Sequence, residues 1–136
     1  MRINKVEAII AILGLGLLIF VTVHKCFRVL EQSKEIATKK GLSSLRSAIA
    51  LYYADNNGNY PSNNISKELV EKGYIEKIPY VYLPHYKKSN HITTINFDKN
   101  TDLGGWAYKV DDTLDYSGHT KGQVWINCSH GDWSRL

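Results

Sequence analysis

"KVEAIIAILGLGLLIFVTVHK", Lys5 to Lys25, decides the fold of this chain. Between Ala8 and Val23 the only polar side chain is Thr22. A helix lying on a soluble domain keeps a polar face, and this run has none. The 18 residues Val6–Val23 fall within the roughly 17 to 25 needed to cross a bilayer, so the run reads as a membrane-spanning helix. Glu7 stands at its head. An ionisable group in a span costs a few kcal/mol unless it lies near the interface, is paired or is neutralised, which makes Glu7 a functional candidate. The rival reading is a cleaved secretory signal, with Arg2 and Lys5 as its charged start. Thr22, Val23, His24, Lys25 and Cys26 follow the apolar core instead of a small-residue cleavage site, and Lys25 occupies the position where a lipoprotein signal needs a small residue.

The rest of the chain is of a different kind. Mean hydropathy over all 136 residues is −0.29, so the apolar run is local and the remainder is polar, with nine Tyr and three Trp in the whole sequence. An anchor, residues 1–28, followed by one small water-facing domain, residues 29–136, fits both facts. Net charge is +4, but the cations are spread along the chain without a basic stripe, which argues against nucleic acid as a partner. Cys26 and Cys128 lie at opposite ends of the expected fold and read as free thiols. Arg2 and Lys5 flank one side of the span, and Lys25, Arg28, Lys34, Lys39 and Lys40 the other. That count, taken alone, places the folded domain in the cytoplasm.

No proline or turn cluster ends the helix at the membrane. Helix-compatible residues continue to Asn56, with Ile36, Leu42, Leu45, Ile49 and Tyr52 or Tyr53 at three- and four-residue steps and Lys39, Ser43, Ser44 and Arg46 on the other side. Gly41 weakens this helix by about 1 kcal/mol relative to Ala, and "DNNGNYP" (Asp55–Pro61) ends it. A short helix is expected over Ser66–Ile75, capped by Ser66, burying Leu69 and Val70 and closed by Gly73. Three strand-like runs follow, His91–Phe97, Gly105–Val110 and Gln123–Cys128, separated by the turn-rich "DKNTDLG" and "DDTLDYSGHTKG". The expected fold is α+β: one long N-terminal helix, membrane-embedded in its first half, packed on a small antiparallel sheet.

This order of elements resembles a type IV pilin or type II secretion pseudopilin. Members of that family begin with an aromatic or apolar residue, carry Glu at the fifth position, continue in apolar residues and extend as one helix into a sheet domain. In "INKVEAIIAILGLG", Ile3 matches the first residue, Glu7 the glutamate and Gly16 the glycine nine further on. "LRSAIALYYADNNGNYP", "GGWAY" and "VWINCSH" are similar to the helix end and head of secretion-type members. Two positions depart from the pattern: Arg2 stands where the family's processing peptidase needs Gly, and Lys5 replaces an apolar residue. The resemblance implies a structural subunit without enzymatic activity, anchored in the bacterial inner membrane with its head in the periplasm, against the charge count. It implies a homo-oligomeric helical filament or assembly with related pilin-like subunits, contact with inner-membrane assembly machinery and lipid, and a methylated first amine at Ile3. Glu7, Ile3 and Gly16 are its assembly residues, Glu7 pairing with the first amine of a neighbouring subunit.

Other constellations are weaker. His24, His85, His91, His119 and His130 show no helical ligand spacing and no H-E-x-x-H, and no G-x-S-x-G is present. Asp98, Asp102, Asp111, Asp112 and Asp115 crowd the turns, and oxygen ligands in loops are what Ca2+ takes. Secretion-type pseudopilins place calcium in such loops, so Asp102, Asp111, Asp112 and Asp115 form a candidate calcium loop, with solvated turns as the alternative. Trp106, Trp125 and Trp133 raise a sugar-binding platform. The competing function is accordingly a monomeric single-pass membrane protein with a small carbohydrate- or metal-binding head.

Overall fold

A computed structural model describes residues 4–84, 86–95, 102–113, 118–129 and 133. The elements run α1 (Lys5–Asp55), α2 (Ile65–Glu71), β1 (Ile92–Ile95), β2 (Trp106–Lys109) and β3 (Val124–Ile126). The chain divides into two compact units, Met1–Lys34 and Glu35–Leu136. That division and the boundary read from the sequence at residue 28 both fall inside the uninterrupted α1.

In the second unit α1 buries Thr38, Gly41, Leu42, Leu45, Ala48, Ile49 and Tyr52. The steps of three and four residues are those of a single helical face. Leu42, Leu45, Ala48, Ile49 and Tyr52 share one core with Ile65 and Leu69 of α2, Ile92, Trp106, Tyr108, Val124 and Ile126 of the sheet, and Ile78, Val81 and Leu83 of the connection. Burying each large aliphatic side chain contributes about 1.5–3 kcal/mol. Gly41 has a positive role in this face: a Cβ there would lie 2.9 Å from Pro79 Cβ and 3.3 Å from Trp106 Cζ2. Thr38 is the polar exception. Its hydroxyl donates to the Tyr82 carbonyl and accepts from the Tyr82 N–H at 3.0 Å, tying the connection to the helix. Ile36 belongs to the opposite face and is exposed, contrary to the stripe read from sequence.

Each helix ends through a left-handed residue. At the end of α1, Asn57 takes φ +55° and the Gly58 N–H reaches the Tyr53 carbonyl at 3.0 Å. At α2, Gly73 takes φ +78°, its N–H donates to Val70 and the Tyr74 N–H to Leu69, the paired bonds of a Schellman cap. The start of α2 differs from expectation: Asn64 occupies the cap position without a side-chain cap bond, and Ser62, by its backbone N–H and hydroxyl, instead binds the Glu68 carboxylate. Leu69 is buried as expected, whereas Val70 is exposed.

The three strands fall where sequence placed them, shorter at their ends, but the sheet is mixed and not antiparallel. Its order is β1-β2-β3, with β1 and β2 parallel (Ile92↔Trp106) and β2 and β3 antiparallel (Trp106↔Ile126). Connection length accounts for this. A four-residue strand is about 13 Å long, and the intervening residues 96–105 can return the chain to the same end, whereas a tight hairpin takes only about 2–5 residues. At the entry to β2, Gly105 takes φ +83°, and a Cβ there would sit 2.7 Å from the His91 carbonyl oxygen. Only glycine allows β2 to enter the ladder at that point.

Both faces of the sheet are covered. Trp106 and Tyr108 point into the main core, while Ala107, Trp125 and Ile95 form a separate buried cluster on the other face. Lys109 shares the second face and is almost wholly buried, its ammonium 3.0 Å from Asp111 Oδ1 and 3.2 Å from the Thr113 hydroxyl. A buried amine is tolerated there because it is paired and hydrogen-bonded.

Candidate functional site

The first unit is the start of α1, and its chemistry is set by what the helix leaves outside. Ile9, Ile10, Ile12, Leu13, Leu17 and Phe20 are all more than half exposed, and no single side of the helix carries them. One helix in the described residues is long and apolar enough to cross a membrane. Thr22, the one polar side chain inside the run, donates its hydroxyl to the Leu18 carbonyl at 2.7 Å. Bonded back to its own helix, it needs no water and adds no unsatisfied group to the apolar run.

Glu7 lies in the first turn, three residues after Asn4. The Asn4 backbone N–H donates to Glu7 Oε2 at 3.2 Å, and the Ala8 N–H donates to the Asn4 carbonyl at 3.1 Å. This is the acidic half of a capping box: the glutamate closes back on the cap residue and satisfies a donor that the helix leaves open. A negative charge at this end is also favoured by the helix dipole. The sequence reading missed this local role, although the N-x-x-E spacing of Asn4 and Glu7 signals it. Gly16 has nothing within 4 Å of the Cβ it lacks, so its backbone is open to close approach. Ile3, the third assembly residue, lies outside the described residues.

Among the described residues, the aspartates of the proposed calcium loop are each held by separate partners. Asp102, at φ +51°, accepts from the Tyr86 phenol at 2.9 Å and from the backbone N–H and hydroxyl of Ser129 at 2.9 and 3.0 Å. Asp111 is held by Lys109 and Thr113. Burial pushes its carboxyl up, and those hydrogen bonds outweigh that, leaving it below the usual carboxylate range. Asp112 pairs with Lys121 at 3.2 Å. Asp98 and Asp115 lie outside the described residues, as do His85 and His130. Among the described residues no group of three or more His, Cys, Asp or Glu is placed to hold a metal ion.

The tryptophans do not form an open platform. Trp106 is buried with its Nε1 donating to the Pro79 carbonyl at 2.8 Å. Trp125, on the opposite face, is also buried and stacks on the His119 imidazole at 3.9 Å between centroids. Trp133 packs against the main core. Cys26 is exposed and Cys128 buried, and no disulfide joins them.

A polar network unforeseen from sequence closes the end of the α1 stripe. Tyr52 donates to Glu68 Oε2 at 2.7 Å, and Lys72 donates to the Tyr52 oxygen and to Asn56 Oδ1, each at 3.2 Å. The carboxylate beside Tyr52 holds that phenol above its ordinary value, with burial adding to the effect. At Glu68, burial acts to raise the carboxyl, and the bonds from Ser62 and Tyr52 overcome it, so the group stays ionised below its ordinary range. Three separate segments, the end of α1, the 56–62 turn and α2, are thereby joined at one carboxylate. No family model, curated protein or solved structure matches the chain.

Proposed function

We propose that this chain is a structural subunit of a type IV pilus-like filament or type II secretion pseudopilus, held in a bacterial inner membrane with its sheet domain in the periplasm until it assembles. The observation that supports the reading is α1 itself: a single helix from Lys5 to Asp55 whose first part exposes apolar side chains on all sides and whose last turns are built into the core of an α+β domain. Such a helix serves as an anchor in lipid and as one stave of an apolar bundle in a filament, without refolding between the two.

Apolar helices sliding past one another have little to set their register, because lipid and leucine are similarly apolar. Glu7 supplies that register. Its carboxylate is stable at the helix start near the interface, becomes costly inside a bundle, and recovers the cost where a cation of a neighbouring subunit meets it. Oε2 already accepts the Asn4 N–H; Oε1 takes the neighbour's first amine, or Lys5 where the start of the chain is not processed. Glu7→Leu should insert in membranes as well as wild type and lose most filament yield, measured by fractionation and by crosslinking of engineered cysteines. Glu7→Gln keeps the acceptor for Asn4 while removing the charge, so an intermediate yield separates charge pairing from helix capping. Ordered filaments at wild-type yield from Glu7→Leu would refute the assignment.

A further inference from the structure

The end of the apolar run is stepped. Polar side chains begin at His24 on one side of α1, where His24, Lys25 and Arg28 fall within about 100° of arc at ~100° per residue. On the other side apolar residues continue for nearly two more turns: Cys26, Phe27 and Leu30 are all exposed, Phe27 by 65% and Leu30 by 52%. The apolar surface thus reaches from Val6 to Val23 along one flank and to Leu30 along the other. Lys25 and Arg28 stand at the step. Both are exposed, and neither makes an ion pair among the described residues. By contrast Lys39, further along, is held by Glu35 at 2.7 Å.

We propose that Lys25 and Arg28 form a docking point for the headgroups of anionic phospholipids, with the Cys26, Phe27 and Leu30 flank sunk among the acyl chains beside it. The inference rests on α1 crossing a membrane, not on filament assembly. The two cations lie about 3 and 8 Å beyond Val23 at ~1.5 Å rise per residue, within a headgroup layer roughly 5–7 Å deep on each side of the hydrocarbon, allowing for the reach of their side chains. Leaning toward the longer apolar flank sinks that flank among the acyl chains while holding the basic flank at headgroup level instead of dragging it into hydrocarbon. A guanidinium matches a phosphodiester by two parallel N–H donors, and an ammonium beside it adds a second positive point. Phospholipid is the occupant the surroundings favour, because the same two turns present a cationic flank and an apolar one, as a phospholipid presents a charged head and acyl chains.

The test uses the full chain reconstituted in phosphatidylcholine vesicles containing spin-labelled phosphatidylglycerol or spin-labelled phosphatidylcholine. The fraction of motionally restricted lipid gives the relative association of the two headgroups. Wild type should prefer the anionic lipid, on the order of fivefold per cation at low salt, and lose most of that preference at high salt. Lys25→Gln combined with Arg28→Gln should reduce the preference severalfold. Lys67→Gln combined with Lys87→Gln, the same change in net charge at exposed positions of the second unit, should leave it unchanged. Equal preference in wild type and the Lys25/Arg28 double variant, with both retained in the membrane after alkaline carbonate washing, would overturn the docking point alone. Release of wild type by that wash would overturn the membrane span and the docking point together.

Discussion

Replacing Gly41 by Ala tests the packing of α1 on the sheet, because two effects of opposite sign meet at one atom. In an open helix the change stabilises by about 1 kcal/mol, since Ala loses less backbone freedom than Gly. Here the new Cβ would lie 2.9 and 3.2 Å from Pro79 Cβ and Cγ and 3.3 Å from Trp106 Cζ2. None of these atoms is the loose end of a flexible chain. The Pro79 ring is tied to its own backbone, and Trp106 is fully buried with its Nε1 bonded to the Pro79 carbonyl. Overpacking of this kind costs roughly 1–3 kcal/mol, so the net effect of Gly41→Ala is a destabilisation of about 1 kcal/mol. The control is Ser47→Ala on the exposed side of the same helix, which should stabilise by up to about 0.5 kcal/mol. Chemical denaturation of the full chain in detergent micelles, followed by tryptophan fluorescence, reads both. A Gly41→Ala protein as stable as wild type or more so, beside a Ser47→Ala that behaves as expected, would refute the close approach of α1 to Pro79 and Trp106.

Two further outcomes follow from a buried hydroxyl and a half-buried carboxylate. Tyr108 donates to the Pro61 carbonyl at 2.9 Å in the core, with burial pushing its phenol well above the ordinary range; Tyr108→Phe should cost about 1–2 kcal/mol in the same denaturation assay, and an unchanged midpoint would argue against the bond. Glu68 has its carboxyl lowered in the folded state, so its contribution is fully present above the ordinary carboxylate range and is lost as pH falls through the folded value. Stability measured between about pH 6 and pH 3 should therefore fall less steeply for Glu68→Gln than for wild type; identical slopes would remove Glu68 from the acid dependence.

Much of the fold is legible in single residues of the sequence, for physical reasons that act locally. The apolar run from Ala8 to Val23 has no polar face, so nothing but length decides how far it extends. The α1 stripe from Leu42 to Tyr52 repeats at the helical period, and Gly73 ends α2 because a left-handed residue costs glycine nothing. What escapes is whatever depends on a partner distant in sequence. Arg46, placed by periodicity on the outer side, donates through its guanidinium to the Val124 carbonyl at 3.2 and 3.3 Å, because a long side chain reaches around the edge of its own helix. Asp102 and Asp111 look like free ligands in a turn, yet each already has donors that only the folded chain brings, Tyr86 and Ser129 to one, Lys109 and Thr113 to the other.

By itself the sequence determines that residues 8–23 form a helix apolar on every side, because the run offers no polar face at the helical period; the backbone bonds that satisfy Thr22 and Glu7 are seen only in the folded chain. It also determines an α+β second unit, since helical and alternating periods occupy different stretches. Tertiary structure alone decides that β1 runs parallel to β2, that Gly41 is a contact and not a weakness, and that Lys109 is an interior cation. Each of these turns on atoms separated by many residues but only a few ångströms, and strand direction, close approach and charge pairing across that separation leave no periodic trace in the chain.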